Sequence, residues 1–142
     1  MPLSRLALSY ARLAQGEQDA LYGGALDDLY RAMTAHPELV SGTGRNDLAF
    51  MRTGPGDWVA KIGADGVQVI GVRSAGLGIA IKMIDGNMRA LYTAAVAVLM
   101  QLGLVCDAEK FATGRLDKAA AEKNFMGLRT GEVRAAFQLH KV

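Results

Sequence analysis

Gly56-Asp57-Trp58-Val59-Ala60-Lys61-Ile62-Gly63-Ala64-Asp65-Gly66 is the stretch that decides the fold. Alternation through Trp58 to Ile62 predicts a strand, with Trp58, Ala60 and Ile62 on one face and Val59 and Lys61 on the other. Two further strand-like runs follow, at about 67–73 and 79–84. Gly63-Ala64-Asp65-Gly66 and Ser74-Ala75-Gly76-Leu77-Gly78 separate the three runs and carry hairpin chemistry, so an antiparallel meander is expected. Lys61 stands two residues before Gly63. A glycine there lets a ligand approach the strand backbone, and the ammonium supplies positive charge or a proton carrier.

Ile79, Ile81 and Met83 share one face of the last run, and Lys82 falls on the other between Ala80 and Ile84. Both faces of the sheet are then apolar enough to be covered by helices. Upstream, Leu6, Tyr10 and Leu13 at helical spacing predict a helix from about Leu3 to Gln15, stopped by Gly16. A second helix is expected from about Ala25 to Ala35, burying Leu26, Leu29, Tyr30 and Met33 and ended by His36-Pro37. Residues 38–45 read as a loop, and a short helix around Asp47 to Arg52 buries Leu48 and Met51. Downstream, Asp85-Gly86-Asn87 turns the chain into a helix from about Met88 to Leu102, with Met88, Leu91, Ala95, Leu99 and Leu102 as its stripe. A weaker helix is expected over Lys118 to Lys123, and an edge strand over Val133 to Phe137. Ten of the seventeen glycines lie between Gly42 and Gly86, which marks the turn-rich middle of a fold.

The 142 residues suit one domain spanning 1–142, of α+β class. With 51% hydrophobic and 21% charged residues the chain is globular. Its formal net charge of +2 comes from scattered Lys and Arg, which argues against a nucleic-acid partner, and no apolar run reaches the length of a membrane span. Cys106, the single cysteine, precludes an intrachain disulfide framework and fits a reducing compartment, so a cytoplasmic location is expected. Gly42-Thr43-Gly44 and Gly76-Leu77-Gly78 fail the phosphate-loop and dinucleotide patterns and read as turns.

Several motifs in order carry a resemblance. They are Pro2-Leu3-Ser4-Arg5-Leu6-Ala7; His36-Pro37 with Val40-Ser41-Gly42, Arg45 and Met51; and Ala60-Lys61-Ile62-Gly63-Ala64-Asp65-Gly66-Val67. Gly76-Leu77-Gly78-Ile79-Ala80-Ile81-Lys82, Asp85-Gly86-Asn87, Arg89-Ala90, Asn124 with Gly127, and Gly131-Glu132-Val133-Arg134 complete them. Over nearly its whole length the chain resembles the C-terminal half of the thermolabile bacterial L-asparaginases, a family related in fold to serine β-lactamases and glutaminases. The resemblance implies an amidohydrolase that attacks the side-chain amide of L-asparagine, or a related small amide, with a serine and releases aspartate and ammonia.

It implies further that Lys61 is the later of two catalytic lysines, at the place of the Lys-Thr-Gly strand of β-lactamases, where it assists proton transfer. Arg45 and Gly63 fall at substrate-binding positions; Arg45 reads equally as a loop arginine capping carbonyls. Asp47 stands where zinc-binding members have a cysteine. No cofactor is required, and a zinc site on Asp47 is left open, although no His or Cys neighbours it in sequence. Read from the residues alone, Asp47 is most simply an N-cap of the short helix. Lys82 reads as a partner of Asp85 or Asp65, or as a side chain snorkelling past a covering helix.

The family's nucleophile lies in Ser-x-x-Lys. None of the four serines here, Ser4, Ser9, Ser41 and Ser74, has a lysine three residues later. The expectation is therefore a piece of the enzyme whose serine comes from a missing N-terminal half. The alternative is a non-catalytic interaction or dimerisation module derived from it, with a homodimer as partner. Either reading expects an exposed apolar patch or a dimer that hides one.

Overall fold

The computed structural model describes residues 1–106 and 121–141. Three strands form an antiparallel sheet in the order β1-β2-β3: β1 Trp58–Gly63, β2 Val67–Val72 and β3 Leu77–Lys82. Register runs from Trp58 opposite Val72 to Gly63 opposite Val67, and from Val67 opposite Lys82 to Val72 opposite Leu77. The expected meander is present, with its third strand two residues earlier than the periodicity suggests. A second, two-stranded sheet pairs β4 Ala121–Lys123 with β5 Arg129–Glu132.

Helices α1 Leu3–Ala14 and α2 Gly23–Ala35 flank a single 3-10 turn at Gly16–Gln18. Helices α3 Pro37–Ser41 and α4 Asn46–Thr53 precede the sheet, and α5 Met88–Gln101 follows it. Period-two alternation divides the sheet's side chains between two cores. On one face Val59 packs with Leu13, Ala14 and Tyr30 of α1 and α2. On the other, Trp58, Ala60, Ile70, Val72 and Ile79 pack with Phe50 and Met51 of α4 and Ala95, Val98 and Leu99 of α5. The molecule is thus α+β, with helices on both sides of the sheet.

Two glycines bring α1 down onto the strands. A methyl group built on Gly78 would stand 1.9 Å from the carbonyl oxygen of Ala7 and 2.6 Å from the amide nitrogen of Ala11. One built on Gly71 would stand 2.6 Å from the carbonyl oxygen of Tyr10. Gly78 lies inside β3, so it serves helix approach and not the turn expected of it; Gly76, at φ 61°, is the turn residue. At the head of α5, the Asn87 side chain accepts from the N–H groups of Arg89 and Ala90 at 3.0 and 3.1 Å, satisfying two of the four orphan donors of the first turn.

Several expectations are corrected. Pro37 opens α3 instead of only ending α2, because a residue whose φ is already helical and which has no N–H suits a first helical position. In α2, Leu29 is 49% exposed, and Asp27 is buried alongside the expected Tyr30, held by Arg73 and Arg31 at 2.7 and 2.6 Å. In α5, Leu102 lies past the helix end and is exposed, and Ala94 and Val98 join Leu91, Ala95 and Leu99 in the buried stripe. Residues 121–123 of the helix expected over Lys118 to Lys123 are strand, and its first three positions lie outside the described residues. Val133 to Phe137 is not a strand; it runs along α5, where Gln101 Nε2 donates to the Phe137 carbonyl at 3.2 Å.

Candidate active site

Helix α4 and the end of β1 meet at one edge of the sheet. Asp47, the second residue of α4, is 1% exposed and sends its carboxylate across to the strands. Its Oδ2 accepts from the backbone N–H of Ile62 at 3.0 Å, and its Oδ1 accepts from Gln68 Nε2 on β2 at 3.1 Å. Because β1 is an edge strand, Ile62 would otherwise present an unpaired donor; the carboxylate closes that position. Asp47 is therefore not an N-cap. Arg45 is the N-cap residue of α4, and it makes no side-chain capping hydrogen bond.

Lys61 reaches the same edge. Its Nζ donates to the carbonyl oxygen of Ile62 at 3.0 Å and lies 3.6 Å from Asp47 Oδ2. Its side chain is 40% exposed, whereas the Asp47 side chain has no exposure. A lysine ammonium has three N–H groups; one is spent on Ile62 and one faces Asp47, so the geometry leaves a third for a ligand arriving from solvent. The ion pair itself contributes little in this half-exposed setting, about 0.2 to 1 kcal/mol. Its value to a site is orientation. Tyr10 of α1 senses the same carboxylate: burial pushes its hydroxyl pKa above the ordinary tyrosine value, and the Asp47 charge adds to the rise.

Gly63 ends β1 opposite Val67 and is exposed, so its backbone is open to approach. Arg45 is exposed at the N-terminus of α4, two residues before Asp47. Lys82 is taken up elsewhere: its Nζ bonds the carbonyl oxygens of Asp65 and Met83, at 2.7 Å for the latter, and so staples the β1-β2 turn to the turn after β3. Neither carboxylate proposed as its partner receives it.

The surroundings of Asp47 do not suit zinc. Its neighbours are a backbone N–H, an amide NH2 and an ammonium, which are hydrogen donors and not lone-pair ligands. Among the described residues there is no group of three or more His, Cys, Asp or Glu able to hold a metal ion. No helix of the described residues is long and apolar enough to cross a membrane.

Gln68 is the site residue that sequence reading missed. It is fully buried and sits between Ile62 and Ile81 in the sheet register. The available signal was a lone carboxamide amid Val67, Val69 and Ile70. A buried amide in an apolar strand needs a partner, and here the partner is Asp47.

Beyond the edge cluster, the β4-β5 hairpin presents Phe125, Met126 and Leu128 at 111, 83 and 65% exposure. It is tied to the start of α5 by Arg89 Nη2 and Glu122 Oε1 at 2.5 Å.

Compared with known proteins, the chain matches no curated sequence. The family model described as L-asparaginase II matches residues 1–135, a span that contains both sheets and the five helices of the described residues, with the Asp47-Lys61-Gln68 cluster. The chain belongs to the L-asparaginase II family.

Proposed function

We propose that this chain contributes one wall of an amidohydrolase site that converts L-asparagine to L-aspartate and ammonia, with Lys61 as its cation. The observation that carries the reading is the Lys61 ammonium, fixed at a strand end by a buried carboxylate and a backbone carbonyl while its side chain stays 40% exposed. Such a group is oriented and yet reachable. Family membership supplies the reaction class.

In this reading the attacking oxygen is a serine of a Ser-x-x-Lys segment outside these 142 residues, since none of Ser4, Ser9, Ser41 and Ser74 has that spacing. The serine Oγ bonds to the side-chain amide carbon, and its proton passes to the neighbouring base. The C–N bond then breaks, and the nitrogen leaves as ammonia with that proton. Water cleaves the resulting ester to aspartate and free serine. Lys61 lowers the cost of negative charge developing on the reacting oxygens and passes protons between them. Arg45 offers a planar fork to the substrate carboxylate, and Gly63 lets the substrate lie against the strand.

A second reading has support in the exposed Phe125, Met126 and Leu128 of the hairpin, with Ile84 also 99% exposed. Apolar side chains so fully presented suit an interaction or homodimerisation module. Ammonia release separates the two. The chain is assayed alone and after mixing with an upstream polypeptide bearing Ser-x-x-Lys. Activity in the mixture that disappears with Lys61→Met supports the enzyme, and activity of the isolated chain overturns the external serine. An inactive mixture with a monodisperse dimer in sedimentation favours the module.

A further inference from the structure

The Gln68 carboxamide is oriented without ambiguity, because its two N–H groups meet two acceptors, Asp47 Oδ1 at 3.1 Å and the Val69 carbonyl at 3.2 Å. Turning the amide over would set its oxygen against both. The consequence is that Oε1 is buried with no hydrogen-bond partner among the described residues. An apolar side chain at this position would leave no such orphan and would match Val69 and Ile70 beside it. What it would forfeit is the grip on Asp47. With Ile62 N–H on Oδ2 and Gln68 on Oδ1, both oxygens of the carboxylate are pinned, so its plane cannot rotate, and Oδ2 stays aimed at the edge where Lys61 lies.

We propose that Gln68 is a positioning residue for the Lys61 ammonium, acting through Asp47. The proposal rests on the reading of Lys61 as the site's cation, and it extends the site from an ion pair at the sheet edge to a three-residue relay reaching into the α5-covered core. Gln68 is not a catalytic residue, because it lies buried behind Asp47. Its part is to convert a half-exposed ion pair, free to exchange among geometries, into one held direction.

The test reads the lysine directly. The folded chain is acetylated briefly with a limiting amine-reactive ester, and peptide mass spectrometry gives the Lys61:Lys82 modification ratio. Lys82 is the internal reference, since its ammonium bonds only main-chain carbonyls among the described residues. Asp47→Asn is expected to raise the ratio about threefold, the loss of a half-exposed ion pair. Gln68→Met, which keeps volume and removes both donors, is expected to raise it about twofold although residue 68 does not contact Lys61. Gln68→Asn, which withdraws the amide by one methylene, should act in the same direction and serves if the methionine variant does not fold. In the unmodified protein, raising NaCl from about 0.01 to 1 M shortens the screening length from about 30 to 3 Å and should raise the ratio as well. A ratio unchanged in the folded Gln68 variants, or insensitive to Asp47→Asn, overturns the proposal. In an active mixture, Gln68→Met should lower kcat and leave KM unchanged. Because the ratio needs no turnover, its failure leaves the amidohydrolase reading standing, and an inactive mixture with a raised ratio overturns that reading alone.

Discussion

Replacing Gly78 by alanine tests the helix-on-sheet packing most directly. The added methyl would lie 1.9 Å from the Ala7 carbonyl oxygen, 2.6 Å from the Ala11 nitrogen and 2.9 Å from the Ala7 carbonyl carbon, all of them backbone atoms. No rotamer change relieves the overlap, so α1 must lift or β3 must bend. Ordinary contact begins near 3.4 Å, which requires α1 to retreat by about 1 Å or more over β3 and loosens Leu13 and Ala14 against Val59 and Tyr30. Overpacking against rigid backbone costs about 3 kcal/mol, the upper part of the usual range. Gly131→Ala is the matched control. Its methyl would meet nothing closer than the Glu122 Cβ at 3.6 Å, and Gly131 has no positive φ, so the same substitution should be neutral or stabilise by up to about 1 kcal/mol through the unfolded chain. Urea unfolding followed by the fluorescence of Trp58, the single tryptophan and 4% exposed, measures both. A Gly78→Ala variant within about 0.5 kcal/mol of the parent would refute the seating of α1 on this glycine.

Asp47→Ala should destabilise by about 2 to 6 kcal/mol in the same assay, because it strands the Ile62 N–H and the buried Gln68 amide at about 1 to 3 kcal/mol each; a loss under about 1 kcal/mol would show that these bonds are not made. Lys61→Met should stay within about 1 kcal/mol of the parent, which separates any loss of activity from unfolding. On the alkaline side, burial pushes the Tyr30 hydroxyl up to about 12, with the Arg73 guanidinium partly opposing. The folded value lies above the unfolded one, so this contribution is fully present below about pH 10 and is lost as pH rises toward 12; the urea midpoint should fall across that window, and less steeply in Tyr30→Phe. On the acid side, Asp27 is held below the usual carboxylate range, chiefly by its hydrogen bond from Arg73. Its contribution is present above about pH 4 and lost as pH falls further, so Asp27→Asn should flatten the acid limb of the stability profile.

The strands and the longest helix were legible because their signals are local. Alternation from Trp58 to Ile62 and the hairpin glycines define β1 to β3, and Asp85-Gly86-Asn87 marks the start of α5 by turn and cap chemistry. Where one residue type serves two purposes, local reading chose wrongly. Pro37 is both a stop for α2 and a start for α3, and Gly78 sits in a glycine pair that resembles a turn yet accommodates a helix from 67 residues upstream in chain order. Of the site, Lys61 and Asp47 were visible as candidates, and the structure brings them to one edge. Their relation was not visible, since Asp47 reaches Ile62 across 15 residues and Gln68 across 21, and no spacing rule encodes such a bond. Gly63 was a candidate from its spacing after Lys61 and Arg45 from its forked side chain beside Gly42-Thr43-Gly44, with the family pattern added to both.

Closure of the β1 edge has a consequence for assembly. Any chain seeking to lengthen this sheet by hydrogen bonding alongside Ile62 would have to dislodge a charged side chain from a buried seat and push α4 aside. The opposite border, β3, pairs with no other described strand. Growth of the sheet, whether by a cognate polypeptide or by misassembly at high concentration, is therefore directed to the β3 side and away from the edge that bears the ammonium.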